Sequence, residues 1–101
     1  MSISSELSSD EKSVTIVVSG RFDFSTHQAF MQAYKAFPKG EKNYVVDLTN
    51  AEYLDSSAMG MLLQLREHSA KDTNGVVLKN GNEAVQDVLR IANFGKLFVI
   101  Q

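Results

Sequence analysis

The run Leu54-Asp55-Ser56-Ser57-Ala58-Met59-Gly60-Met61-Leu62-Leu63 sets two adjacent hydroxyls behind a carboxylate, at the start of an amphipathic pattern. Asp55 can accept hydrogen bonds from the backbone N–H groups near Ser57 and Ala58 and so begin a helix. Ser56 and Ser57 then fall in its first turn, exposed, where backbone N–H groups point outward. A phosphate there would turn a neutral surface into a dianionic one. The segment reads as a phosphorylation switch or, on local chemistry alone, as a well-capped helix start. Gly60 weakens the second reading slightly. Glycine inside a helix costs about 1 kcal/mol against alanine, so something is expected to approach the backbone closely there.

Other residues offer less. Asp23 follows Gly20 in a loop expected beside the start of this helix, where its own chemistry is that of a turn aspartate capping the first helix. Asp47 ends a strand, where open α/β sheets place their sites, but a hydrogen bond to the loop at Thr49-Asn50 is the simpler role. His27 and His68 have no ligand-spaced companions and read as surface histidines, so no metal site is expected. Ser57 lacks both a Gly-x-Ser-x-Gly elbow and a convincing base, although His27 could in principle approach it. No Gly-rich phosphate loop is present, and no cofactor is expected. Without cysteine, thiol catalysis and cysteine-zinc sites are excluded. Met59, Met61 and Tyr53 could form an apolar contact patch, with core packing the default for at least one methionine.

The elements that must position these residues alternate. Val14-Thr15-Ile16-Val17-Val18 is β-branched and stops at Ser19-Gly20, which predicts a strand and a turn. Residues 3–8 can pair with it as an edge hairpin strand. Ala29, Phe30, Ala33, Tyr34 and Phe37 predict a helix over 25–37, capped by Ser25 or Thr26 and ended by Pro38 and Gly40. Tyr44-Val45-Val46-Asp47-Leu48 predicts a strand buried on both faces. A second helix spans 55–70, with Ala58, Met61, Leu62, Leu65 and Ser69 inward and Gln64, Glu67 and His68 outward. A strand at 76–78, a helix at 83–92 carrying Val85, Val88 and Leu89, and a last strand at 97–100 complete the order. Such alternation argues for an α/β layered sheet with parallel crossovers.

The chain has 101 residues, enough for one domain over 1–101 and one core. Its formal charge is −2, with Lys39 and Lys42 the densest basic pair and Glu41 between them, so no nucleic acid is expected as a partner. No apolar run approaches the roughly 18 residues of a membrane span, and the first residues lack a basic start and an apolar core. The expectation is a soluble cytoplasmic protein, with no membrane association.

Asp55-Ser56-Ser57-Ala58-Met59-Gly60 resembles the Asp-Ser-Ser-Gly-Leu-Gly motif of STAS domains, specifically of anti-sigma factor antagonists. Gly20-Arg21-Phe22-Asp23 is similar to their Gly-x-Leu/Phe-Asp loop. Val45-Val46-Asp47-Leu48 is similar to their central strand, and Asn93-Phe94-Gly95-Lys96-Leu97-Phe98 to the segment entering their last strand. The matches are in order and cover nearly the whole chain. The resemblance implies a STAS-like layered fold: a mixed four-to-five-stranded sheet with helices packed mainly on one face. Ala58 stands for the commoner glycine and Met59 for the usual leucine; a small residue followed by an apolar one is kept. Many relatives carry a further C-terminal helix past the last strand, so one sheet face is expected to be less covered or to serve a partner.

The resemblance also implies a function. Ser57 would be the phosphorylated serine, and Asp23, Asp55, Ser56, Ala58, Met59 and Met61 would contact the partner. That partner would be an anti-sigma factor with serine kinase activity and an ATP-binding fold. A PP2C-type phosphatase would remove the phosphate. The unphosphorylated protein would bind the anti-sigma factor and free the sigma factor; the free protein is expected to be a monomer. The alternative is a STAS subunit that is never phosphorylated and acts as a scaffold in a lipid-transport or sensory complex. Relatives of that kind often lack the Asp-Ser-Ser element.

Overall fold

The computed structural model describes residues 3–71 and 73–101. The elements in order are β1 (Ile3–Leu7), β2 (Ser13–Phe22), α1 (His27–Lys35), β3 (Asn43–Leu54), α2 (Ser56–Ser69), β4 (Val76–Lys79), α3 (Glu83–Ile91) and β5 (Val99–Ile100). Short 3-10 turns cover Phe24–Thr26, Thr73–Gly75 and Phe94–Lys96.

One sheet holds the strands in the order β1-β2-β3-β4-β5. β1 and β2 form the antiparallel hairpin, with Ile3 opposite Val18 and Leu7 opposite Val14. The other pairings are parallel. All three crossovers step across the sheet in one direction, and right-handed connections then bring α1, α2 and α3 to a single face. Burial follows: Val14, Ile16, Val18, Tyr44, Val46, Leu48, Val76 and Leu78 point under the helices and are buried. Thr15, Val45, Val77 and Val99 are paired across the four parallel strands in a half-exposed row on the opposite face. The expectation that β3 is buried on both faces is therefore corrected. Among the described residues no second layer covers that side, and β3 alternates between buried and half-exposed over Tyr44 to Leu48.

Two strands outrun their sequence pattern. β2 continues through Ser19-Gly20, where a turn is predicted, and β3 continues past Leu48 to Leu54. The register explains this. Val17 pairs with Asp47 but Ser19 with Asn50, and Gly20 pairs with Ala51 but Arg21 with Tyr53. β3 thus carries one extra residue at each of two bulges, which bend a strand without ending it. Gly20 lies on the facing strand β2 between the two shifts and has a left-handed backbone, with φ +81°. The last strand is shorter than predicted, because Phe94–Lys96 coil into a 3-10 turn before it.

Helix α2 buries Ala58, Met61, Leu62, Leu65 and Ser69, the stripe its periodicity predicts. Its far end is tied down. Arg66 Nε donates to the Leu97 carbonyl at 2.9 Å, and His68 Nε2 lies 2.8 Å from the Phe37 carbonyl. The His68 ring packs 5.0 Å from Tyr34 and 6.2 Å from Tyr44. Neither histidine is the surface residue expected: His68 is half-buried in this aromatic contact, and His27 is half-buried and stacked on Phe24 at 5.4 Å.

Candidate functional site

β2 and β3 run parallel and end side by side, with Phe22 paired to Leu54. Asp23 and Asp55 each follow one of these paired residues. The two stretches singled out in the sequence are thereby brought together at the carboxyl edge of the sheet, where α1 and α2 begin.

Asp55 has an extended backbone, φ −112° and ψ −173°, and caps α2. Its Oδ1 accepts from the Ala58 N–H at 3.0 Å, and its carbonyl accepts from the Met59 N–H at 3.1 Å. The side chain thus takes up one of the donors a helix start leaves unpaired.

Asp23 does the same for the 3-10 turn. Its Oδ1 accepts from the Ser25 N–H at 3.0 Å and the Ser25 hydroxyl at 2.5 Å. Hydrogen bonding from the Ser25 hydroxyl, joined by the Ser25 N–H and the Arg21 guanidinium, holds its carboxyl below the ordinary aspartate range. The predicted capping of α1 by Ser25 or Thr26 side chains is corrected. Thr26 sits at the N-cap, but its hydroxyl donates back to the Asp23 carbonyl at 2.8 Å and makes no cap bond.

Arg21 and Tyr53 are cross-strand partners beside this pair. The guanidinium lies 4.4 Å from the Tyr53 ring centroid, donates to the Tyr53 hydroxyl, and approaches Asp23 at 3.6 Å. Asn82 was not singled out in the sequence, yet it fastens the other side. Its Nδ2 donates to the carbonyls of Ala51 (3.3 Å) and Glu52 (3.2 Å), while its Oδ1 caps α3 by accepting from the Val85 N–H at 2.8 Å. Its position before the helix at 83 was the available signal, since asparagine favours that place.

On α2 itself, Ser56 is exposed and Ser57 half-exposed, and no group among the described residues hydrogen-bonds the Ser57 hydroxyl. Ala58 and Met61 are core residues, 0% and 3% exposed, because the helix turns them toward the sheet. They form the floor under the serines rather than a contact surface, which corrects their expected place among partner contacts. Met59 is half-buried against the core and Tyr53 half-exposed. Gly60 is exposed, and apart from its chain neighbours and the backbone of its own helix nothing lies within 4 Å of where its Cβ would be. The close approach expected there does not come from within the described fold.

Asp47 lies within β3 rather than at its end. Its Oδ1 accepts from the Thr49 N–H at 3.0 Å and hydroxyl at 2.6 Å, the local role expected of it. Hydrogen bonding from the Thr49 hydroxyl lowers its pKa. No helix among the described residues is long and apolar enough to cross a membrane.

A family model described as "Mlab, STAS domain" matches residues 5–100. A STAS-domain containing protein of Pseudomonas aeruginosa is 46% identical over 100 residues, covering 99% of each chain. Among solved structures, a candidate anti-sigma factor antagonist of Thermotoga maritima superposes with a TM-score of 0.81 at 18% identity, covering 97% of this chain and 84% of that one. The anti-sigma factor antagonist SpoIIAA in its unphosphorylated form gives 0.74 at 20% identity, over 99% of this chain and 88% of its own. The Bacillus SpoIIAA in its phosphorylated form gives 0.65 at 19% identity, over 99% and 91%. At these identities the solved structures fix the fold: a five-stranded mixed sheet with three α-helices, of the SpoIIAA type. The family match and the Pseudomonas relative go further, and the chain belongs to the STAS-domain family.

Proposed function

We propose that this protein is an anti-sigma factor antagonist, a binding module and not an enzyme, switched by phosphorylation of Ser57. The observation that carries this reading is the placement of Ser57: half-exposed in the first turn of α2, its hydroxyl unengaged among the described residues, directly after the capping Asp55. The structural likeness to an antagonist that exists in phosphorylated and unphosphorylated forms supports it. The partner is an anti-sigma factor that is also the serine kinase, and a PP2C-type phosphatase resets the system in the cytoplasm.

The switch acts at the interface. A phosphate adds about −1.5 to −2 charges. At a helix N-terminus the macrodipole favours an anion by about 0.3–1 kcal/mol, while the neighbouring Asp55 opposes it. The fold is therefore left nearly unchanged. A partner seated over Ser57 would instead have to desolvate a dianion. A loss of about 2.7–4 kcal/mol corresponds to roughly 100–1000-fold in affinity, which suffices for a switch.

The test is phosphopeptide mapping of the protein from its own cells, together with binding to the kinase purified by its transfer of labelled phosphate to this protein. One phosphatase-sensitive phosphate on Ser57 is expected, with constitutive binding by Ser57→Ala and weak binding by Ser57→Asp. Equal affinity of the two variants would end the proposal. A second reading is a STAS subunit that is never phosphorylated. The matching family model, which carries no antagonist description, favours it. It predicts an unmodified Ser57 under every growth condition.

A further inference from the structure

Helices α1 and α2 pack side by side over the sheet and leave an open pocket of about 390 Å³ between their outer faces. That lies within the roughly 300–1,000 Å³ of small-ligand sites, which favour the space between helices. Tyr34 lines the pocket although it is 2% exposed. Its ring packs on Phe30, Tyr44 and His68, but its hydroxyl makes no hydrogen bond among the described residues. The orphan side-chain atom that is fully enclosed is the Tyr44 hydroxyl, so the Tyr34 hydroxyl keeps a little access, and the space Tyr34 opens on is this pocket. Burial raises the pKa of Tyr34, so the group stays a donor. A buried donor without an acceptor is costly to the fold, and such groups are rare.

The rim is cationic. Lys35 and Lys39 line it, both exposed, and neither makes a hydrogen bond or ion pair among the described residues. The loop that carries Lys39 is fastened to the end of α2. The Gly40 N–H donates to the His68 carbonyl at 2.9 Å, and the Gly40 carbonyl accepts from Lys71 Nζ at 2.9 Å. Glu67 is the one carboxylate of the lining, so the formal balance there is +1, in a chain whose total is −2. Met31 and the rings of Tyr34 and His68 supply apolar wall.

We propose that this pocket binds a small organic monocarboxylate, its carboxylate accepting from the Tyr34 hydroxyl and the ammonium groups of Lys35 and Lys39, its apolar body against Met31 and the His68 ring. Two exposed lysines alone would hold any anion weakly. The buried phenol is what makes the site selective. A phosphate monoester, with nearly two charges, would exceed the local balance and be repelled by Glu67. The site stands whether or not Ser57 is phosphorylated.

The experiment titrates the full chain with benzoate and with hexanoate while amide resonances are followed. Benzamide and hexanamide are the neutral controls, and inorganic phosphate is the anionic one. At least one acid should give saturable shifts at Met31, Lys35 and His68, and bind about tenfold or more tightly than its amide or phosphate. Exchanging both lysines, Lys35→Gln with Lys39→Gln, should weaken it about tenfold. Tyr34→Phe keeps the ring and gives up no hydrogen bond, so the melting midpoint should hold while binding weakens about threefold or more. Equal binding of acid and amide, tighter binding of phosphate, or no saturable shift up to about 10 mM overturns the inference. Wild-type affinity in Tyr34→Phe overturns it too, since only a loose lysine pair would remain. If that variant melts lower, the lysine exchange and the acid–amide comparison decide the matter on folded protein.

Discussion

The backbone N–H of Asp55 donates to the carbonyl of Phe22 across 3.4 Å, so the residue that caps α2 hangs from the last residue of β2. Asp23 follows Phe22 directly. Two carboxylates from separate parts of the chain thereby open two helical turns at one edge of the sheet. Each side chain is folded back onto its own backbone donors. The surface around Ser57 is preset by ordinary capping chemistry.

That capping can be measured. Asp55→Ala removes the acceptor for the Ala58 N–H and should lower stability by about 0.5–2 kcal/mol. Urea denaturation of the unphosphorylated protein should show the midpoint fall with little change in slope. Asp55→Asn keeps an acceptor in place and should remain within about 0.5 kcal/mol of wild type. An unshifted midpoint for the alanine variant would mean that the first turn of α2 is held by something other than this side chain.

Asn82 should matter more than its exposed position suggests. Asn82→Ala loses the α3 cap and two bonds to β3 carbonyls, for an expected cost of about 1–3 kcal/mol. Asn82→Asp retains the acceptor for Val85 but turns a carboxylate toward the carbonyls of Ala51 and Glu52, so it should also fall below wild type. Thermal unfolding of both variants decides this. If Asn82→Asp matches wild type, the link to β3 contributes nothing.

The pH profile should have two limbs. The Tyr44 hydroxyl is buried with no hydrogen-bond partner among the described residues. Burial, then the charge of Glu41, pushes its pKa up to about 12. A raised folded pKa gives stability that is present below the ordinary tyrosine pKa of about 10. It is lost as pH rises through about 12. Asp23 and Asp47 act in the opposite sense, with lowered pKa values. Their contribution is present above about pH 4 and is lost as pH falls through their folded values. Tyr44→Phe should weaken the alkaline limb and leave neutral stability unchanged or higher, since no hydrogen bond is given up. Buried Tyr34, also raised, keeps part of that limb. Denaturant midpoints from neutral pH to pH 12 check this; an unaltered alkaline limb would assign it to other groups.

The order of elements, the buried stripe of α2 and the Asp55 cap were legible in the sequence, because each depends on local periodicity or on one side chain. The carboxyl half of β3 was not. Thr49, Asn50 and Glu52 are exposed and make no apolar pattern; that stretch is a strand because β2 pairs with it through two bulges. The role of Ser19-Gly20 was misread for the same reason, since a glycine at positive φ also fits within a strand that faces a bulged partner. His68 was placed facing water, but it is half-buried. A helical pattern gives direction only to within a residue or so, and the Tyr34–Tyr44 contact that draws His68 inward joins distant segments.

Beyond the Asp55–Phe22 bond at its start, α2 is tied down at the end away from Ser57, by Arg66 on Leu97 and His68 on Phe37. A helix clamped in this way gives a phosphate no lever to pull. Amide resonances of wild type and Ser57→Asp should differ in the first turns of α2 and coincide along Val45, Val77 and Val99; shifts across that valine row would refute the point. The message is then read only where it is written. A second protein resting on the bare face of the sheet would be blind to it, and one small domain could keep a permanent companion while exchanging a temporary one.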